Sequence, residues 1–277
     1  MKERMARMRV DSALLTSAGK RLTERDRAIC EALYEHRVLT GDQLRELYFI
    51  NGDRARHRLL ELHRLRAVDR FRPYRPHGSA SYHYLLDELG AAVVATERGL
   101  ETKELDWSRS KALKLASSSQ LTHLVEANGF FVTLIAATRR SAEAHVTAWW
   151  GQRRCTQAWG ELVRPDGYTA LAHGGDVREL CLEWDRGTEA LARIEEKLAR
   201  YGELQSALER PLTLALVAPT DGRERELLRV TRSASRTPGL VTTAARHAAD
   251  PLGETCLGTR DERRQSLLYT PKERRPA

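Results

Sequence analysis

The stretch Pro165-Asp166-Gly167-Tyr168, followed one hairpin later by Leu180-Cys181-Leu182-Glu183-Trp184-Asp185-Arg186-Gly187-Thr188-Glu189, decides how the second half of this chain is read. Two carboxylate clusters stand at the ends of what read as adjacent strands. Like charges held within a few ångströms raise each other's pKa, so crowding them costs free energy. A divalent cation with oxygen ligands is the usual offset. The pattern points to a metal-dependent nuclease core, or to the relic of one. The reading without chemistry is that Asp166 and Gly167 form a turn, while Glu183 and Asp185 pair with Arg186 or Arg193.

Around that stretch the apolar periodicity outlines an α/β arrangement. A long helix is predicted over 119–140, with Leu121, Leu124, Val125, Asn128, Phe131, Val132 and Ile135 on its apolar side. Residues 144–150 read as a strand, and 162–172 with 177–185 as a hairpin turning at His173-Gly174-Gly175. Thr188 is placed to cap a helix over 189–207, with Leu191, Ile194, Leu198 and Tyr201 inward. The apolar run 212–218 reads as a buried strand ended by Pro219, and 221–232 as a further basic helix. This order gives a mixed sheet with helices packed against it. Trp149-Trp150 most simply supply core and sheet-edge packing, although Trp can also stack on a splayed base.

The N-terminal third carries three helical patterns. Thr23 with Asp26, and Thr40 with Gln43, have capping-box spacing, and Asn51-Gly52-Asp53 turns into a third helix with Leu59, Leu62 and Leu65 on its buried side. Arg54, Arg56, His57, Arg58, His63, Arg64 and Arg66 occupy its other faces. From Arg54 to Arg75 eight arginines face two acids, Glu61 and Asp69. Residues 71–74 and 81–86 read as two short strands around Pro73, Pro76 and Gly78, a β-wing, and 87–98 as a closing helix. A basic third helix followed by an arginine-bearing hairpin is what a winged helix-turn-helix offers to a DNA major groove. Arg54, Arg56, His57, Arg58, Arg64, Arg72 and Arg75 are the DNA-binding residues expected, and the alternative is a merely solvated face.

The bulk properties fit this picture. A chain of 277 residues accommodates one large or two modest domains, and a net charge of +8 suits a polyanionic partner. No apolar run reaches the roughly 18–20 residues of a membrane span, and no apolar segment follows the basic N-terminus, so no secretory signal is expected. Cys30, Cys155, Cys181 and Cys256 are scattered, which reads as free thiols in a reducing cytoplasm. A GxxxxGK phosphate loop is missing, which argues against an ATP-driven motor. The His-hydrophobe-His pattern of relaxases is also missing. His123 stands one turn before Glu126 and either lines the same cleft or is an ordinary core or surface histidine.

At this point the chain resembles the replication-relaxation family of plasmids and other mobile elements, over roughly residues 22–258. The likeness rests on "LTERDRAICEAL…LTGDQLRELYF", "HLVEANGF" and "RPDGY…CLEWDRGTEALARIEEKLARY". It implies an α+β protein: a winged helix-turn-helix at 22–100, a linker at 101–118, and a restriction-endonuclease-like (PD-(D/E)xK) domain with a mixed central sheet at 119–258. A basic extension (1–21) precedes these and a basic disordered tail (259–277) follows. It implies Asp166 as the aspartate of the PD pair, Glu183 as the following acid and Glu126 as the helical acid. With Asp185, these would hold Mg²⁺ or Mn²⁺ if the site is active. The resemblance puts a lysine where this chain has Asp185, and a carboxylate cannot stabilise a phosphoryl transition state. Lys197, on the following helix, is the residue that could reach back. The implied role is DNA binding in replication or conjugative DNA processing, with a degenerate nuclease-like domain. The implied partners are double-stranded DNA and a relaxase or replication protein, with homodimerisation open. A Mg²⁺/Mn²⁺-dependent endonuclease or nickase, and a winged-helix transcriptional regulator, are the alternatives.

Overall fold

The computed structural model describes residues 21–74, 77–208, 210–234, 237–259 and 263–268. The expected N-terminal extension lies, Arg21 apart, outside them. The chain divides into two compact units, one up to Leu121 and one from Thr122 onward. Both contain helices and strands, so the protein is α+β.

In the first unit, α1 (Glu24–His36) starts at Thr23, whose side chain accepts from the Asp26 amide while Asp26 reaches back to the Thr23 amide at 2.7 Å. After β1 (Leu39–Thr40), Thr40 and Gln43 form the same reciprocal cap on α2 (Gly41–Tyr48). Asn51 caps α3 (Gly52–Arg64) through the amides of Asp53 and Arg54. The strands β2 (Val68–Phe71) and β3 (His83–Leu86) are antiparallel and complete a small sheet of order β1-β3-β2. The first hairpin strand thus begins three residues before the expected 71–74. Val68 is fully buried, and Pro73 cannot donate to a ladder. The helix α4 (Glu88–Glu97) follows. Ile29, Leu33, Leu44, Leu59, Leu62 and Leu85 are buried and form the core here. Residues 101–118, read as a linker, carry a 3₁₀ turn (Thr102–Glu104) and α5 (Arg109–Leu115). Arg109 ties this segment to the first unit, donating to Asp87 at 2.9 Å and to Asp69 at 2.5 Å.

The second unit runs α6 (Leu121–Thr138), β4 (Ala144–Gly151), α7 (Gln152–Trp159), β5 (Gly167–His173), β6 (Asp176–Trp184), α8 (Leu191–Ala207), β7 (Leu212–Ala218), α9 (Asp221–Ala234), β8 (Gly239–Thr243), α10 (Ala244–Ala249), β9 (Cys256–Gly258) and β10 (Arg264–Gln265). Its sheet has seven strands among the described residues, ordered β10-β9-β8-β7-β6-β5-β4. The pairs β6–β7 and β7–β8 are parallel and the others antiparallel. Alternate side chains go to opposite faces. Tyr168, Cys181, Leu214 and Leu216 pack with Ile194, Leu198 and Tyr201 of α8. Leu171, Leu180, Leu182 and Val217 pack with Ala127, Phe130, Phe131 and Leu134 of α6. That second contact explains α6, which is 18 residues long and apolar enough to cross a bilayer by length and composition, contrary to the sequence expectation. Most of it is buried within the protein, as in a core helix.

Gly167 is required by packing rather than by a turn. It pairs with Leu182 and Gly151 in the sheet, and a Cβ there would stand 2.5 Å from the Phe131 ring. Gly167→Ala is expected to cost about 1–3 kcal/mol through overpacking, measured as a lowered urea midpoint. An unchanged midpoint would mean that Phe131 swings aside freely.

Trp149 stacks on Phe131, and Trp150 packs against Trp159 and Tyr168, so both indoles serve packing, as the sequence reading has it. Several elements differ from that reading. The helix α8 begins at Leu191 with Ala190 in the cap position, and Thr188 does not cap it. The elements α7, β8, α10, β9 and β10 go beyond the sequence reading, because each is too short to carry a clear apolar period. The tail is corrected in part: residues 263–268 add β10 to the sheet and bury Leu267 completely. Arg178 donates to the Leu267 carbonyl at 3.2 Å, and Arg264 to the buried Glu224 at 2.8 Å. Residues 260–262 and 269–277 lie outside the described ones.

Candidate functional site

The carboxylates meet where β5 begins and β6 ends. Register pairs Gly167 with Leu182, so Asp166 comes beside Glu183, and the Asp166 amide donates to the Leu182 carbonyl at 2.9 Å. Asp166 uses both its oxygens: His123 Nε2 donates to Oδ1 at 2.8 Å and the Trp184 amide to Oδ2 at 2.8 Å. The hydrogen bond that His123 donates to Asp166 raises the His123 pKa above its ordinary value, against the opposing effect of burial.

Glu183 points to the α8 face. Lys197 Nζ donates to Oε2 at 2.9 Å and the Tyr201 hydroxyl to Oε1 at 2.5 Å. Burial pushes the Glu183 carboxyl up to about 7, with Asp166 adding to the rise and Lys197 and Tyr201 working against it. Burial also opposes the charge on Lys197. The carboxylates of Glu183 and of Glu189, at 3.2 Å, outweigh it and hold this lysine above its normal range. The lysine expected to reach back from the following helix therefore does so.

Glu126 and Asp185 go elsewhere. Trp184 alternates to the α6 face, where its indole N–H donates to Glu126 at 3.1 Å and Arg186 stands 3.5 Å from the same carboxylate. Asp185 is held by the Arg223 guanidinium at 2.5 Å and by the Gly187 amide at 2.9 Å. Arg223 reaches it because β6 and β7 are parallel neighbours, so the start of α9 falls beside the end of β6.

A divalent cation needs several carboxylate oxygens aimed at one point. Among the described residues no three His, Cys, Asp or Glu side chains form such a group. The partners just described give the reason: each acid is neutralised by its own cation or donors, and Glu126 and Glu183 lie on opposite faces of the sheet. As arranged, Asp166, Glu183, Asp185 and Glu126 do not fit a Mg²⁺ or Mn²⁺ site. Tyr201 and Arg223 are the site residues that sequence reasoning missed. Tyr201 stands one helical turn after Lys197, a spacing that could have flagged it. Arg223 carried no signal short of strand order.

In the first unit, α3 turns Ala55, Leu59 and Leu62 inward and leaves Arg54, Arg56, His57 and Arg64 exposed. Arg56 pairs with the exposed Asp53. Arg58 departs from the expected set. It grips the fully buried Asp26 at 2.9 and 2.5 Å, and also bonds Glu61 and the Arg21 carbonyl. That makes it a bridge between α3 and α1. On the hairpin, Arg72 donates to Ser79 at 2.8 Å and lies 3.9 Å over the Tyr82 ring, which Arg70 also covers at 4.1 Å. Arg75 lies outside the described residues.

Fold and site thus define an α+β protein of two units, one presenting a cationic helix and the other an acidic cluster neutralised by its own side chains. The chain belongs to the replication-relaxation family, whose model matches residues 31–212. That membership suggests a role in the replication or relaxation of plasmid or mobile-element DNA. No curated protein and no solved structure matches the chain. The family match ends at Leu212, so Arg223 and all of α9 lie beyond it.

Proposed function

We propose that this is a cytoplasmic DNA-binding protein of a plasmid or integrated mobile element, acting in replication or conjugative DNA processing. The first unit is read as a winged helix gripping duplex DNA. The second is read as a PD-(D/E)xK nuclease-like domain whose site is degenerate. The order of helix, strand, two helices and hairpin supports the first reading, and helix, three strands, helix, strand supports the second once α7 is treated as an insertion. The observation that carries the proposal is the exposed face of α3, where Arg54, Arg56, His57 and Arg64 stand clear of the core. A groove-entering helix presents its cations in this way.

The test is duplex binding by the full chain carrying Arg54→Ala, His57→Ala and Arg64→Ala together. Affinity should fall about tenfold or more, and each lost phosphate contact should lower the salt slope by about 1. Binding equal to wild type at moderate salt would sink the assignment to α3.

A second reading, a Mg²⁺- or Mn²⁺-dependent endonuclease, is favoured by one observation: Lys197 Nζ stands 2.9 Å from Glu183. For this reading to hold, Asp166 and Glu183 would have to exchange their present partners. A supercoiled-plasmid nicking assay separates the two. The degenerate site should give wild-type cleavage no greater than that of the Asp166→Ala/Glu183→Gln variant. Cleavage lost on Asp166→Ala, Glu183→Gln and Lys197→Met alike would favour the enzyme.

A further inference from the structure

The hairpin of the first unit carries a cationic feature of its own, apart from α3. Register pairs Arg70 with Tyr84 across β2 and β3, and the strand period of two puts Arg72 and Tyr82 on the same face. The Arg70 guanidinium lies 4.1 Å from the centroid of the Tyr82 ring, and that of Arg72 lies 3.9 Å from it. Two like charges are thus held within about 8 Å of each other by one neutral ring. Their other partners are also uncharged. Arg72 donates to Ser79 at 2.8 Å, and Arg70 stands beside the hydroxyl of the buried Tyr84. The nearby acids are engaged elsewhere. Asp69 holds Arg109 at 2.5 Å, and Asp42 accepts from the Ser81 hydroxyl at 2.6 Å. Among the described residues neither Arg70 nor Arg72 makes an ion pair.

We propose that Arg70, Arg72 and Tyr82 form a preorganised phosphate site for the backbone of duplex DNA, in which Tyr82 is the positioning residue that presents the two arginines. The proposal rests on the DNA-binding reading of the first unit, and adds to it one cation, Arg70, and a role for an aromatic ring. A ring quadrupole attracts a cation without cancelling its charge. A guanidinium lying on a ring keeps N–H groups at its edge for other acceptors, and these match phosphate oxygens in geometry as well as in charge. Arginines that are free before binding lose rotamer freedom on contact, which weakens affinity. On Tyr82 that ordering is already complete in the folded hairpin. Contacts of this kind set the register of a protein on the duplex and carry no sequence information themselves.

The test uses the full chain and a short duplex of arbitrary sequence, with binding followed by fluorescence anisotropy from low to physiological salt. Arg70→Ala/Arg72→Ala should bind about tenfold more weakly at low salt, with the salt slope reduced by about 1 for each arginine removed. Tyr82→Leu keeps both charges but frees them, so affinity should fall about fivefold with the slope close to wild type. Tyr82→Phe keeps the ring and should bind like wild type. In the Arg70→Ala/Arg72→Ala background Tyr82→Leu should add no further loss, whereas a ring needed only for folding would cost affinity in both backgrounds. Single Arg72→Glu, at an exposed position, should weaken binding even if the alanine pair does not fold. Wild-type affinity in the alanine pair and in Arg72→Glu, with the α3 triple-alanine variant impaired, would overturn this proposal and leave the DNA-binding reading in place. An additive Tyr82→Leu loss, or Tyr82→Phe as impaired as Tyr82→Leu, would also overturn it. Impaired hairpin variants beside an unimpaired α3 variant would support this site and sink the α3 assignment. A wild-type chain that does not bind duplex even at low salt would sink both.

Discussion

Arg58→Ala is expected to destabilise the protein by about 3 kcal/mol, whereas Arg54→Ala and Arg64→Ala should stay within about 0.5 kcal/mol of wild type. All three arginines lie on the same helix and look alike in sequence. Asp26 is fully buried, and its carboxylate caps α1 while gripping Arg58. Removing Arg58 leaves that carboxylate inside with only Thr23 to bond it. The estimate sits at the low end for a broken buried pair because Arg58 itself is 26% exposed. Burial alone would raise the Asp26 pKa, but Arg58 and Thr23 more than reverse this and hold it below 3.8. A depressed carboxylate contributes stability above its unfolded pKa and loses it as pH falls through the folded value. The Arg58→Ala deficit should therefore be full at neutral pH and shrink below about pH 4. Urea midpoints at neutral and acid pH check this. An Arg58→Ala midpoint equal to wild type would return Arg58 to the set of DNA contacts.

The second large effect is at Glu183, and its sign is the opposite. Burial raises this carboxyl to about 7 from 4.5, so the folded state binds a proton more readily than the unfolded one. The group contributes stability that is complete below about pH 4.5 and is lost as pH rises to about 7. Glu183→Gln should remove that slope, which for one proton cannot exceed about 1.4 kcal/mol per pH unit. The comparison must be with this variant because His247 works the other way in the same window. Burial lowers its pKa to about 4, so its contribution is lost as pH falls from 6.5 toward 4. Lys197→Met should leave Glu183 with Tyr201 alone and push its pKa higher still. The variant is expected to lose about 3 kcal/mol above pH 7 and much less near pH 5, where the carboxyl is neutral. Urea midpoints from pH 5 to 8 for wild type, Glu183→Gln and Lys197→Met measure both effects. Parallel curves for wild type and Glu183→Gln would mean that Glu183 does not titrate in this range.

These predictions bear on what the acidic cluster is for. The carboxylates of the cluster are tied to partners on the surrounding helices: Asp166 to His123, Glu183 to Lys197 and Tyr201, and Asp185 to Arg223. Arg223 supplies the positive charge that holds Asp185. In the second unit the acids at the end of β6 serve as internal ion-pair and hydrogen-bond partners.

Much of this was legible in the chain itself, because the signals are local. Capping boxes at Thr23–Asp26 and Thr40–Gln43 need only a three-residue spacing. The inward leucines of α3 follow from helical period, and the apolar run of β7 marks a central strand. The pairing of Asp166 with the end of β6 follows from a hairpin whose turn is written as Gly174-Gly175. Lys197 could be named because it lies one turn beyond Ile194, near the inner face of its helix.

The rest depends on which elements become neighbours, and no local spacing carries that. Arg58 reads as one more basic residue until α1 brings a buried Asp26 to it, 32 positions away. Asp185 reads as a metal ligand until the parallel β6–β7 pair delivers Arg223. Glu126 and Glu183 look like members of one set until strand alternation sends them to opposite faces. The sequence by itself determined the longer elements, the charge and the family. Tertiary structure alone decided which charges are spent on one another and which still face the solvent, because ion pairing at 3 Å depends on packing between distant segments.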